Sequence, residues 1–133
     1  MRNFITIAVL LLTAQNAVAD FKCQVKDSMT LSDLGVIDRS SDVAKMNQSK
    51  EFVVNRSTGI ISGGGFINNM SGQLPEVLNV YKPDQNSYKA ITVYKPNYTV
   101  DYLEIKEYVE GDKKPFIYKA AWGSIVTGVC VAF

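Results

Sequence analysis

The chain has 133 residues, of which 14 are basic and 13 acidic, and 47% are hydrophobic, which is the usual composition of a globular protein. This length suits one domain, and the near-neutral charge argues against nucleic acid or an anionic membrane as the main partner. Histidine is absent, which removes the most frequent general base and the commonest metal ligand.

The N-terminus has the pattern of a secretory signal peptide. Arg2 precedes an apolar run at 4–12, and an Ala-Val-Ala motif follows at 17–19, where a signal peptidase would cut. The apolar run is shorter than the about 20 residues that a membrane-spanning helix needs. We therefore expect residues 1–19 to be a leader, and residues 20–133 to be one exported domain without a membrane span, periplasmic or secreted, with bacterial export favoured.

The first expected element is a strand at residues 21–26. Its sequence, FKCQVK, alternates apolar and polar side chains, which is typical of a strand with one buried face. Residues 27–50 are polar with scattered apolar side chains, so a loop with at most one short helical turn is expected there. Three aspartates in this segment match no EF-hand spacing and are expected to be solvated; they are Asp33, Asp38 and Asp42.

Four glycines between residues 59 and 65 raise the question of a phosphate-binding loop. Such a loop needs a helix directly after its glycines, so that the backbone N–H groups converge on the anion. The residues that follow lack a helical period, and Pro75 would end a helix. Residues 51–55 and 59–63 are therefore interpreted as a hairpin, and Gly63, Gly64 and Gly65 as a turn or bulge at its end.

The second half of the chain alternates strand patterns with turn residues. The expected strands are 76–82, 88–95, 101–109, 115–122 and 124–133. Short strands at this spacing predict an all-β fold, a small single-domain antiparallel β-barrel or sandwich of about 7–8 strands. Cys23 and Cys130 are expected to form a disulfide that ties the first strand to the last.

The last strand presents two rows of side chains. If Cys130 faces the interior, alternation places Val129, Val131 and Phe133 on the outside. A bulge at Gly128 would change this assignment. We expect the outer row to be a candidate interface, covered by residues 27–50 or by a second subunit, so an oligomer is a possible state.

The aromatic side chains suggest where recognition takes place. Phe116, Tyr118, Ala120 and Trp122 share one face of a predicted strand and are expected in the core. Tyr102 and Tyr108 alternate with charged residues, as on surfaces that bind proteins or sugars. The candidate binding surface comprises Tyr102, Tyr108, Gly63, Gly64, Gly65 and Phe66.

Without histidine, catalysis by a pair of carboxylates is the remaining chemical option. Glu104 and Glu107 are three residues apart, so a regular strand would send them to opposite faces, whereas a glycosidase needs both in one cleft. Glu107 is expected to reach solvent. We expect no catalytic residue, no metal site and no cofactor.

The leading hypothesis is an exported, non-enzymatic binding module that recognises another macromolecule, a protein or glycan of the envelope or medium. An inhibitor of a secreted hydrolase is one member of this class. The alternative is a small lipocalin-like carrier with an apolar interior. An enzyme using carboxylates or tyrosines alone is the least favoured hypothesis, because histidine is absent.

Overall fold

A computed structural model describes residues 19–78 and 86–133 and shows an all-β domain. Nine antiparallel strands form one sheet that curls into a half-barrel. The expected all-β, antiparallel architecture is confirmed. The expected leader lies outside the described residues except for Ala19. Among the described residues, no helix has the length and hydropathy of a membrane span.

The elements follow one another with short connections. In chain order they are β1 (Phe21–Leu31), β2 (Ile37–Asp38), α1 (Asp42–Met46), β3 (Glu51–Val54), β4 (Ile61–Ser62), a single 3-10 turn (Met70–Gly72), β5 (Glu76–Val77), β6 (Tyr88–Tyr94), β7 (Thr99–Ile105), β8 (Lys114–Lys119) and β9 (Ser124–Ala132). Across the sheet the order is β4-β3-β1-β9-β8-β7-β6-β5, and β2 pairs with the far end of β1. The expected strand at 76–82 is described only as far as residue 78.

The structure corrects the interpretation of residues 27–50 as a loop. β1 continues to Leu31 and β2 follows it, whereas α1 is the one short helical turn expected in this segment. The pairing of β1 with β9 shifts by one residue between Val25 and Asp27, so Lys26 is the inserted residue of a bulge. Beyond it Ser28 is buried instead of facing outward. An inserted residue reverses the two faces of a strand, which is why the apolar–polar alternation of the sequence stops at Lys26.

Cys23 and Cys130 form a disulfide between directly paired positions of β1 and β9, as expected. Both side chains are completely buried. The bond closes a loop of 107 residues. In the chain-entropy description, a loop of this order adds about 4.7 kcal/mol to the free energy of unfolding. The bond therefore holds β1 and β9 side by side within the sheet.

Aromatic rings fill the concave side of the sheet. Phe52 lies at the centre, with its ring centroid 5.3 Å from that of Phe66, 5.2 Å from that of Phe116 and 6.3 Å from that of Tyr118. The contacts of Phe52 with Phe66 and Phe116 are edge-to-face, the geometry that the ring quadrupole favours. The interior is thus a packed core.

A buried asparagine bridges the open side of the half-barrel, between β4 and β6. The Asn68 amide donates to the Gly59 carbonyl at 2.8 Å, and its Oδ1 accepts from the Ile61 N–H at 2.9 Å. The Asn68 carbonyl in turn accepts from the Thr92 hydroxyl at 2.7 Å. Asn68 therefore takes the place of a strand pairing between β4 and β6. Its hydrogen bonds also satisfy buried polar groups, which would otherwise destabilise the fold.

An ion pair fixes the end of the half-barrel near Ala19. Arg56 Nη2 contacts Glu107 Oε1 at 2.5 Å, and the two side chains are only 14% and 8% exposed. The guanidinium also lies 4.1 Å from the centre of the Phe21 ring. The expectation that Glu107 reaches solvent was wrong. β7 ends at Ile105, so strand alternation does not determine the direction of this side chain.

Gly128 is required by the close approach of β9 to β1. A Cβ built at this position would lie 1.9 Å from the Gln24 carbonyl oxygen and 2.9 Å from the Phe116 ring. The first contact involves backbone, so relief requires the two central strands to separate. β9 has no bulge at Gly128; the register shift lies opposite it, in β1.

We predict that Gly128→Ala lowers the free energy of unfolding by at least about 3 kcal/mol, the upper range for overpacking a core. The matched substitution Thr127→Ala, one residue away on the outer face, should cost less than about 1 kcal/mol. Urea denaturation followed by circular dichroism measures both. Equal, small losses for the two variants would contradict the close approach of the strands.

Candidate binding groove

A groove lies where α1, the β8–β9 turn and the segment after Gly65 meet. Its volume is about 180 Å³. The rim is apolar, one wall is polar, and two aromatic rings form the floor. The rim comprises Val43, Met46, Ile67 and Trp122, the polar wall Asn47, Lys50 and Ser124, and the floor Phe66 and Tyr118. We call this site the α1 groove.

α1 brings two rim residues to the groove. The Ser41 hydroxyl caps the helix by accepting from the Ala44 N–H at 3.2 Å. Ala44 is completely buried and so fixes which side of the helix meets the sheet. Val43 and Met46 are three residues apart and therefore neighbours on the helix surface. They remain 46% and 67% exposed.

Trp122 is the largest rim residue, and it was expected in the core. Phe116, Tyr118 and Ala120 are buried as expected, but β8 ends at Lys119 and the chain then turns. The turn is closed by a hydrogen bond of 3.0 Å from the Gly123 N–H to the Ala120 carbonyl. Trp122 therefore lies at the tip of the turn, 63% exposed. Strand alternation cannot be extended past the last paired residue.

The glycine-rich segment contributes to the groove through its last residues. Gly63, Gly64 and Gly65 adopt left-handed conformations, with φ of +93°, +66° and +78°, and form a turn. Gly65 lines the groove, whereas Gly63 lines a separate hollow beside Glu51. Phe66 is only 7% exposed and belongs to the core as well as to the groove floor.

The two tyrosines of the candidate binding surface lie elsewhere. Tyr102 is on the outer face of β7, where its hydroxyl donates to Glu104 Oε2 at 3.3 Å. Tyr108 follows the end of β7 and is 51% exposed. Neither lines the α1 groove. The residues of the expected surface are thus divided between different parts of the molecule.

The outer row of β9 is open to solvent in the single chain. Val129 and Val131 are half-buried and line a hollow of about 240 Å³ flanked by lysines, and Phe133 is 65% exposed. Of residues 27–50, none lines this hollow. The segment expected to cover the row is therefore used at the α1 groove instead. Covering by a second subunit stays a prediction.

A chain of hydrogen bonds forms the polar wall. The Asn47 amide donates to Ser124 Oγ at 2.9 Å, and Asn47 Oδ1 accepts from Lys50 Nζ at 3.1 Å. The ammonium group also lies 5.6 Å from the centre of the Phe66 ring, within the range of a cation–π contact. Asn47 and Ser124 are 9% and 5% exposed. The position of Lys50 is thus determined by buried partners.

A buried carboxylate lies behind the groove floor. Asp101, 2% exposed, accepts hydrogen bonds from the Tyr94 hydroxyl at 2.5 Å, the Tyr118 hydroxyl at 3.1 Å and the Ala121 N–H at 2.5 Å. Burial raises the pKa of both tyrosines well above the usual value, and the neighbouring Asp101 carboxylate raises it further. The two tyrosine hydroxyls therefore hold their protons firmly and stabilise the groove floor, so neither is poised to act as a base.

Sequence reasoning did not identify the residues of the rim and polar wall. The signal available for α1 was a helix-capping Ser41 followed by Val43 and Met46 at helical spacing. For Lys50 and Trp122, no local pattern indicates that they line the same groove. Their proximity depends on the pairing of β1 with β9, which no short segment encodes.

Comparisons with known proteins assign no activity to the groove. The chain matches no family model, no curated protein and no solved structure. In the described part of the chain, no group of three or more carboxylate or cysteine side chains is placed to hold a metal ion. The function is therefore inferred from the chemistry of the groove.

We predict that alkaline pH destabilises the fold through its buried tyrosines. Burial raises the pKa of Tyr88 to about 12, and the pKa values of Tyr94 and Tyr118 are also raised. Each buried, protonated tyrosine contributes to the free energy of unfolding. That contribution is fully present below the unfolded pKa of 10.0 and is lost as pH rises towards the folded pKa, because only the unfolded chain ionises in this range. Each tyrosine contributes about 1.4 kcal/mol per pH unit in that window.

The measurement is urea denaturation between about pH 9 and about pH 11.5. Tyr88→Phe should reduce the slope of stability against pH by the contribution of one tyrosine. Tyr98→Phe removes a tyrosine that is 64% exposed and should leave the slope unchanged. Stability independent of pH over this window would contradict the buried positions of these hydroxyls.

Proposed function

We propose that this protein is an exported, non-enzymatic binding module that docks another protein at the α1 groove. The observation that carries the proposal is an exposed apolar rim around a hollow of about 180 Å³. Pockets for whole small molecules measure roughly 300–1,000 Å³. A smaller hollow with an apolar rim suits one anchoring side chain of a large partner.

The packed interior favours a binding site on the surface over a ligand cavity inside the half-barrel. Among the described residues, six aromatic rings pack in the core, and their centroids are separated by 5.2 to 6.3 Å in the contacting pairs. A lipocalin-like carrier needs an interior that a ligand can occupy. The rings leave the outer surface and the α1 groove as the places where a partner can bind.

The composition of the rim favours a protein over a glycan. Trp and Met are enriched at the centres of protein interfaces, and Trp122 and Met46 are the most exposed residues of this rim. Val43 and Ile67 extend the apolar surface without adding hydrogen-bonding groups. Sugar hydroxyls would gain few partners from such a rim.

The energetics require an anchor as well as the rim. The four rim residues are 46% to 67% exposed, so covering them contributes on the order of 4–8 kcal/mol. Association costs an estimated 4–15 kcal/mol in lost translational and rotational freedom. The rim alone therefore gives weak binding at most. A side chain that enters the hollow, together with the polar wall, must supply the remainder.

Export is supported by the disulfide. Disulfides persist in oxidising compartments such as the periplasm and the medium, and are rare in the cytosol. The Cys23–Cys130 bond, together with the leader pattern at residues 1–19, fits a protein that works outside the cytoplasm.

The proposal is tested by site-specific photo-crosslinking. Met46 is replaced by p-benzoylphenylalanine in the full chain produced in its own host, and the cells are irradiated. We expect a covalent adduct of one defined mass, identified by mass spectrometry. Trp122→Ala in the same background should lower the adduct yield tenfold or more, because central aromatic residues dominate interface energies.

Tyr108 provides a matched control. It is also an exposed aromatic position, but it lies away from the groove, so the same crosslinker there should give no adduct. Trp122→Ala should change the free energy of unfolding by less than about 1 kcal/mol, since the side chain is mostly exposed. The proposal would be overturned if only the crosslinker at position 108 gave an adduct, or if Trp122→Ala left the yield of the Met46 adduct unchanged.

A further inference from the structure

We propose that the α1 groove binds the C-terminal residue of its partner, with an apolar side chain in the hollow and the terminal carboxylate on Lys50. This inference rests on the proposed function and adds the chemistry of the bound segment. It depends on the charge, the orientation and the accessibility of the Lys50 ammonium group.

Lys50 is the one charged residue among the described residues that line the groove. Its ammonium carries three protons. Within the described part of the chain, its one hydrogen-bond partner is Asn47 Oδ1, at 3.1 Å. Two protons therefore remain for an acceptor that enters the groove, which is enough for both oxygens of a carboxylate.

The ammonium group is oriented before any partner binds. Asn47 is held by Ser124, and both side chains are more than nine-tenths buried, so the acceptor for Lys50 is fixed. The Phe66 ring lies beneath Nζ at 5.6 Å. Orientation in advance reduces the conformational entropy that binding would otherwise cost. A flexible surface lysine offers no comparable advantage.

The neighbouring backbone leaves access to this ammonium group. Gly65 lines the groove beside Lys50, and a Cβ built there would lie 3.7 Å from Nζ. Because Gly65 has no side chain, an incoming group can occupy that space. Gly65 has φ of +78°, a conformation that also favours glycine.

Charge complementarity selects a carboxylate over a neutral acceptor. A carboxylate adds a Coulomb attraction to the ammonium group that a neutral acceptor lacks. None of the described lining residues is acidic, so a carboxylate would meet no like charge in the groove. The apolar rim lowers the local dielectric once a partner covers it, which strengthens the pair further.

The dimensions favour a C-terminal residue as the source of that carboxylate. The hollow of about 180 Å³ suits one side chain, and the ammonium lies directly above its ring floor. A C-terminal residue carries the apolar side chain and the carboxylate on the same Cα, which places the two groups close together. A chain terminus has this property, and capture of terminal carboxylates is a recurring mode of peptide recognition.

The experiment uses NMR titration of the 15N-labelled, disulfide-bonded protein with three compounds. N-acetylphenylalanine carries the terminal carboxylate, N-acetylphenylalaninamide lacks it, and N-acetyl-Asp-Phe-amide carries a carboxylate on the preceding side chain. We expect N-acetylphenylalanine to bind at least fivefold more tightly than either amide. The expected chemical-shift changes are at the Trp122 indole and the Gly65 amide.

Substitutions of two α1-region lysines separate charge from position. Lys50→Met should abolish the preference for the carboxylate, while Lys50→Arg should retain most of it. Lys45→Met removes the same charge from the other side of α1, outside the groove lining, and should leave the preference intact. The comparison of compounds on the unsubstituted protein remains decisive if Lys50→Met fails to fold.

Each result has a distinct meaning. Equal binding of all three compounds at the groove, unaffected by Lys50→Met, would overturn the carboxylate assignment but leave groove docking intact. Tightest binding of the Asp-containing compound would overturn the C-terminal assignment. No chemical-shift change at the groove with any compound would contradict both this inference and the proposed use of the hollow for an anchor.

Discussion

The pairing of β1 with β9 is the interaction on which the remaining structure depends. These strands are the first and last of the domain, yet they lie side by side at the middle of the sheet. The Cys23–Cys130 bond fixes their register, and Gly128 permits their close approach. The bulge at Lys26 then reverses the faces of the second half of β1. That half leads to α1, so the location of the groove follows from this one pairing.

Buried polar groups connect parts of the half-barrel that are not joined by strand pairing. Asn68 bridges β4 and β6, and Asp101 joins β7 to the Ala121 N–H at the turn that carries Trp122. Such groups are costly to bury without partners, so each also specifies the arrangement of the backbone around it. The groove floor and the half-barrel are therefore both held by hydrogen bonds of buried polar groups.

Strands with regular apolar–polar alternation could be predicted from the sequence, whereas the bulges and strand ends that interrupt this alternation could not. The strands β6 to β9 and the disulfide were expected, because apolar and polar residues alternate there between clear turn signals. The bulge at Lys26, the end of β7 before Glu107 and the end of β8 before Trp122 were missed. Each is set by pairing with a distant strand. Of the residues that line the groove, only Gly65 and Phe66 belong to the binding surface predicted from the sequence, since the walls come from segments far apart in the chain.

α1 is so short that it depends on tertiary contacts, and those contacts also shape the groove. A helix of five residues is far below the length that is stable alone in water, so tertiary contacts must hold it. Two such contacts are the burial of Ala44 and the hydrogen bond from Asn47 to Ser124. Asn47 also orients Lys50. The same amide thus holds the helix that carries the apolar rim and positions the charge beside it, so neither part of the groove can change without the other.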